Sequence, residues 1–277
     1  MKNLKRLLAI IGIVLLAGMY VLTFIFALID SSKAGNLLMA SLFATVFIPI
    51  LLYAISLIYK WTRGREDLIP QISEEGSDIN TVIFDIGNVL VSYDPMKPMR
   101  ELKYDEATAA AVANAIFLSP QWAEADRGVL TEEELLQAFL KNDPDREKEI
   151  RETFSCMGKT IKEYSYTRGW LKYLRRRGYK IYILSNFSEP LYRQAANEMR
   201  FLDLVDGGYM SWQVHLLKPQ PEFYQKLIQD FDIDPSRAVF LDDVLENVAE
   251  ARAQGLHAVH FTGRKNALQA LAEFGVK

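Results

Sequence analysis

A chain of 277 residues, half of them apolar and with a formal net charge of −3, has material for roughly two domains and a sizeable core. The charge is unevenly spread: residues 1–60 hold five cations (Lys2, Lys5, Arg6, Lys33, Lys60) against one acid, Asp30, which leaves −7 on residues 61–277. An acidic remainder excludes general nucleic-acid binding, and a single cysteine, Cys156, excludes an internal disulfide and suits a reducing compartment.

Leu7 to Ile29 and Leu37 to Tyr59 are each 23 residues long and carry no charge. About 20 such residues cross the hydrocarbon core as a helix, so two spans are predicted. Only the polar stretch DSSKAGN, Asp30 to Asn36, separates them, which predicts a transmembrane helical hairpin over residues 1–60. Pro49 is tolerable inside a span because neighbouring groups satisfy the freed carbonyl. Lys2, Lys5 and Arg6 precede the first span, and Lys60, Arg63 and Arg65 follow the second. The excess of cations at both ends predicts cytoplasmic termini. Residues 61–79 then turn charged and rich in Gly and Pro, as a linker does.

From Thr81 onward, short apolar runs alternate with helical patterns, the mark of a parallel sheet covered by helices. The runs are Thr81 to Asp85, Tyr179 to Asn186, Ala238 to Asp243 and His257 to Phe261. The first three end in polar residues. Ligands of open α/β sheets sit beyond the carboxyl ends of the strands, so Asp85, Ser185, Asn186, Asp242 and Asp243 are predicted to meet at one rim. Between the first two runs lies a long, largely helical insertion, about residues 93–170, which would roof that rim. Within it Thr131 and Glu134 have capping-box spacing. The preceding stretch ADRGVL, Ala125 to Leu130, reads as a turn containing Asp126, Arg127 and Gly128.

The ordered motifs FDIGNVL (Phe84 to Leu90), LSN (Leu184 to Asn186), LLKPQPEFY (Leu216 to Tyr224) and FLDDVLEN (Phe240 to Asn247) resemble those of the haloacid dehalogenase superfamily. The resemblance covers residues 80–262. It is narrower with the helical-cap phosphatase branch that includes a bacterial α-D-glucose 1-phosphate phosphatase and the phosphatase domain of soluble epoxide hydrolases. It implies a Rossmann-like α/β core over residues 80–277 with a helical cap after the first strand. Asp85 would be the nucleophile of an aspartyl-phosphate mechanism. Mg²⁺ would be held by Asp85, the Gly87 carbonyl and Asp243, with Asp242 behind them or as an alternative ligand. Ser185 and Asn186 would bind phosphate, Lys218 would neutralise its charge, and Arg127 would read the leaving group.

One departure stands out. The acid expected two residues after the nucleophile is Gly87, which can neither protonate a leaving group nor activate water. Either the leaving group departs easily, as an anomeric sugar oxygen does, or the cap supplies the proton, with Asp126 the nearest acid. The expectation is a membrane-anchored, Mg²⁺-dependent phosphatase of sugar or other small metabolite phosphates, on the cytoplasmic side of a bacterial-type inner membrane. Two alternatives remain open: a non-catalytic binding module, and a 2-haloacid dehalogenase that uses the same nucleophile without metal. The three histidines lack metal-ligand spacing; His215, just before Lys218, is the one worth testing.

Overall fold

The computed structural model describes residues 79–276. The predicted spans at 7–29 and 37–59, and the linker up to residue 78, lie outside the described residues. Among the described residues, no helix is long and apolar enough to cross a membrane.

In chain order, β1 is Thr81–Phe84 and β2 is Val91–Tyr93. There follow α1 Lys97–Glu101, α2 Glu106–Ala115, α3 Pro120–Arg127, α4 Glu132–Asn142 and α5 Glu147–Ser155. Then come β3 Ile161–Glu163, α6 Thr167–Arg176, β4 Lys180–Ser185, α7 Glu189–Gln194, β5 Gly207–Met210 and α8 Pro221–Asp230. The chain closes with β6 Ala238–Asp242, α9 Leu245–Ala253, β7 His257–His260 and α10 Arg264–Glu273. Five strands form one sheet in the order β5-β4-β1-β6-β7, and every pairing in it is parallel. The α/β architecture expected of the sequence is therefore present.

The middle strand β1 is buried along its whole length, as a parallel strand covered on both faces must be. Its side chains alternate between two cores. Val82 and Phe84 belong to the cluster with Trp170 and Leu171 of α6 and Leu271 of α10. Ile83 packs with Phe223 and Tyr224 of α8 and Val248 of α9. Trp170 meets Phe84 edge-on, with ring centroids 5.0 Å apart, so α6 belongs to the core. Residues 164–170, the end of the stretch expected as cap, thus lie on the sheet side.

The insertion is closed off by the antiparallel ribbon β2–β3, pairing Val91 with Glu163 and Tyr93 with Ile161. Its helices start where local chemistry allows. Asp105 caps α2 by accepting from the Thr108 amide, and Thr131 and Glu134 complete the expected capping box of α4. Trp122 of α3 sits among Phe117, Phe139 and Tyr93, with centroids 5.0, 6.4 and 6.5 Å away. The ADRGVL stretch is not all turn. Asp126 and Arg127 form the last residues of α3, and Gly128 ends the helix in the left-handed conformation at φ 70°, which glycine adopts without a steric penalty.

Candidate active site

The parallel register sets the site. Phe84 pairs with Ile183 on one side and Leu241 on the other, so the residues that follow, Asp85, Ser185 and Asp242, end together at one rim. The Asp85 amide donates to the Leu241 carbonyl at 2.9 Å, fixing the carboxylate at the strand end. The chain then turns at once, with the amides of Val89, Leu90 and Val91 all donating to the Ile86 carbonyl. Asn88 adopts φ 53° and sends its side-chain amide to Asp243 Oδ2 at 2.9 Å, tying the loop after Asp85 to the acidic loop.

Lys218 Nζ, buried, donates to Asp85 Oδ1 at 2.7 Å and to Asp242 Oδ2 at 2.6 Å. Burial alone would lower the Lys218 ammonium, but the two carboxylates outweigh it and hold it above its ordinary value. Burial is also the main force on Asp85, pushing its carboxyl up to about 6; Lys218 opposes this and Asp242 adds to it.

Asp242 and Asp243 take different roles. Asp242 is fully buried, and besides Lys218 it accepts from the Val244 amide and, on both oxygens, from Asn247 Nδ2. Those four bonds fill the roughly four lone-pair sites of a carboxylate. Asp243 is half-buried and accepts from Asn88. Carboxylate oxygens of Asp85, Asp242 and Asp243 all lie within 4.8 Å of one another. An all-oxygen set of this kind fits Mg²⁺. With Asp242 saturated by protein donors, Asp85 and Asp243 are the side chains with capacity for a cation, and Asp242 orients Lys218.

A cavity of about 230 Å³ opens above this floor, lined there by Asp85, Gly87, Asn88, Lys218, Asp243 and Asn247. Asn186 also lines it and is locked by a pair of bonds, its Oδ1 accepting from the Lys218 amide at 2.8 Å and its Nδ2 donating to the Lys218 carbonyl at 3.0 Å. Ser185 lies just behind. Its buried hydroxyl makes no well-formed hydrogen bond, though it sits close enough to Asp85 to help hold that charge.

From the cap comes Asp126, which lines the same cavity. Burial pushes its carboxyl up to about 7, the Asp85 charge adding to the rise and Lys218 lessening it. Three contacts hold this end of α3 against the core. The Ser211 hydroxyl donates to the Asp126 carbonyl, His215 Nδ1 lies 2.9 Å from the Arg127 carbonyl, and Gly128 packs on Trp212 so tightly that a Cβ there would come 2.8 Å from its backbone. His215 is thereby a docking residue. Arg127 is not brought to the cavity: its guanidinium faces Glu124 at 3.7 Å, because it follows Asp126 on a helix and so points elsewhere. Sequence reasoning did not single out Tyr93, Trp122 or Ser211. Their spacing carries no motif, and their places become visible only with the cap folded over the sheet.

Several known proteins are similar to this chain. A sesquiterpene phosphatase from Aspergillus oryzae is 26% identical over 180 residues, covering 65% of this chain and 88% of the relative. A D-ribitol-5-phosphate phosphatase from Bacteroides thetaiotaomicron is 28% identical over 183 residues, covering 61% and 85%. Among solved structures, a HAD family enzyme from Bacteroides thetaiotaomicron in complex with magnesium and inorganic phosphate superposes with a TM-score of 0.57, at 18% identity, over 69% of this chain and 98% of that one; at that identity the likeness is one of fold. Residues 79–255 match the family model described as haloacid dehalogenase-like hydrolase, more than half of the chain, and the protein accordingly belongs to that family of enzymes.

Proposed function

We propose that the protein is a Mg²⁺-dependent phosphatase of small phosphorylated metabolites that works through an aspartyl-phosphate on Asp85. The observation that carries this reading is the buried Lys218 bridging Asp85 and Asp242 beside Asp243. A carboxylate nucleophile, a cation for the transferring phosphoryl group and an oxygen cage for Mg²⁺ are thus assembled within a few ångströms. Mg²⁺, when bound, would neutralise phosphate charge that otherwise repels the nucleophile. The metal-bound structural relative and the phosphatase relatives support the assignment; their names span a terpene and a sugar-alcohol phosphate, so phosphate release is what they share.

The chain's own residues supply the rest. An Asp85 oxygen attacks phosphorus, and the bond from phosphorus to the leaving oxygen breaks. Lys218, with Ser185 and Asn186 around it, holds the phosphoryl oxygens. Asp126, whose burial raises its carboxyl so that a protonated fraction persists near neutrality, gives its proton to the departing oxygen. In the second half, water attacks the aspartyl-phosphate and its proton passes to the Asp126 carboxylate, freeing Asp85 and inorganic phosphate. The reading assigns to Asp126 what Gly87 lacks.

A halide-releasing reaction would share Asp85 but leaves the three-carboxylate cluster without a use. The reading keeps the domain at the inner face of a membrane through residues 7–59, supported by the two uncharged runs and the flanking cations. The test is phosphate release by the full-length chain with Mg²⁺, wild type beside Asp85→Asn, on acetyl phosphate and a set of phosphomonoesters. Wild type should turn over and the variant should not; equal background rates from the two would defeat the reading.

A further inference from the structure

We propose that the preferred leaving group is an apolar alcohol, so that the substrate class is the phosphate monoester of an alkyl or isoprenoid-type chain and not of a polyol. This rests on the phosphatase reading and names its substrate. The cavity's lining mixes two chemistries. Its polar lining is carboxylates, amides and Lys218; the rest of the wall is Tyr93, Trp122, Ile161, Phe187, Leu191 and Val244.

The polar groups that might serve a sugar are already engaged. Asn186 uses both ends of its amide on the Lys218 backbone. Asn88 donates to Asp243 and accepts from the Tyr93 amide, and the Asn247 amide nitrogen is held on Asp242. Arg127, which might have read hydroxyls, pairs with Glu124 outside the cavity lining. What remains is the Asp126 carboxyl, needed for the proton, with the Asn247 side-chain oxygen beside the acidic cluster, the Tyr93 hydroxyl and the Trp122 indole N–H. A polyol body would leave several hydroxyls desolvated and unpartnered, whereas a hydrocarbon body would meet aromatic and aliphatic surface.

At the protein surface the trend continues. Val244, which lines the cavity, is 43% exposed, and its neighbour Leu245 is 54% exposed, directly after the acidic pair. A single exposed aliphatic is ordinary. Two in succession beside the acidic cluster place exposed aliphatic surface next to the cavity that Val244 lines.

Primary n-alkyl phosphates test this cleanly, because leaving-group basicity barely changes along the series while apolar area grows. With the full-length chain and Mg²⁺, kcat/KM should rise about two- to fourfold per methylene from ethyl to hexyl phosphate, with glycerol 3-phosphate and ribitol 5-phosphate at or below ethyl phosphate. A flat series, or a polyol phosphate equal to hexyl phosphate, would overturn the inference. Acetyl phosphate separates the two levels: if it is turned over while the series is flat, the substrate class alone fails, and if it is not turned over above the Asp85→Asn background, the phosphatase reading fails and this inference with it. Val244→Ser, at a position open to solvent and safe for folding, should flatten the upper end of the series; an unchanged slope counts against the wall. Preference for free hexyl phosphate over dodecyl phosphate held in phosphatidylcholine vesicles would mark a soluble ester, and the reverse a bilayer one. Either result retains the apolar leaving group.

Discussion

Lys218 Nζ stands 2.7 Å from Asp85 Oδ1, an ion pair with both side chains almost wholly removed from solvent. The same ammonium is the buried partner of Asp242, so one cation compensates two carboxylates. Lys218→Met should therefore lower stability by about 3–5 kcal/mol without metal, since removing one partner leaves uncompensated buried charge. It should also slow phosphate release by roughly 10²–10³-fold, the usual cost of losing a charge-stabilising donor. Urea denaturation and steady-state kinetics read the two effects, and added Mg²⁺ should restore part of the stability but little of the rate.

The Asp126 carboxyl, raised to about 7, sets a pH dependence with a definite sign. A carboxyl whose folded value is raised contributes stability that is present below its unfolded value and lost as pH rises through the folded one. Relative to wild type, Asp126→Asn should gain on the order of 1–2 kcal/mol between pH 5 and pH 8, a figure discounted for the water that reaches the cavity. In activity, kcat/KM for alkyl phosphates should fall as pH rises through about 7, and the variant should lose that limb. Acetyl phosphate, which leaves without help, should show little of either effect; an unaltered pH profile in the variant would remove Asp126 from the proton-donor role.

Gly87 allows a complementary gain of function. A Cβ built there would meet only Asp85 Oδ2, at 3.8 Å, and φ is not in the left-handed region. Gly87→Asp should consequently fold as wild type does and place a second carboxyl beside the nucleophile. In an Asp126→Asn background it should recover alkyl phosphate hydrolysis by about 10–100-fold, within what a positioned general acid supplies, roughly 10²–10⁴. Single-turnover rates of the double variant against Asp126→Asn check this.

Gly128 has the opposite character. Its φ of 70° and the 2.8 Å approach to Trp212 both disfavour any side chain. Gly128→Ala should cost about 1–3 kcal/mol in strain and overpacking. Its rate loss should be larger on alkyl phosphates than on acetyl phosphate, because displacing the end of α3 moves Asp126 and leaves Asp85 where it is. Thermal denaturation with the two substrates measured side by side gives the answer.

How much of this was legible depended on distance along the chain. Asp85, Ser185, Asn186 and Asp242 follow or end apolar runs whose period and length declare strands, so the rim of the sheet could be read directly. The alternation of Val82 and Phe84 against Ile83 needed only the strand geometry. β5, Gly207–Met210, escaped notice because GGYM has neither length nor alternation; it is a strand because it pairs with β4, with Gly208 opposite Ile183. The division of labour between Asp242 and Asp243 was legible only through the family resemblance, since adjacent identical residues otherwise differ only in which partners the fold gives them. Arg127 and Asp126 show the same limit: as a turn their order is immaterial, but on a helix neighbouring residues point about 100° apart, and only one faces the nucleophile.

The Ser211 hydroxyl accepts from the Phe187 amide at 2.9 Å and donates to the Asp126 carbonyl. Phe187 directly follows Ser185 and Asn186, so a single oxygen couples the roof to the loop beneath it. Displacing one disturbs the other. Raising the roof would strip a buried amide of its acceptor, a cost that favours keeping the roof where it is. A roof fastened in this way works as a template: it selects molecules by how well they fill a space already shaped for them, and does not remodel itself around what arrives.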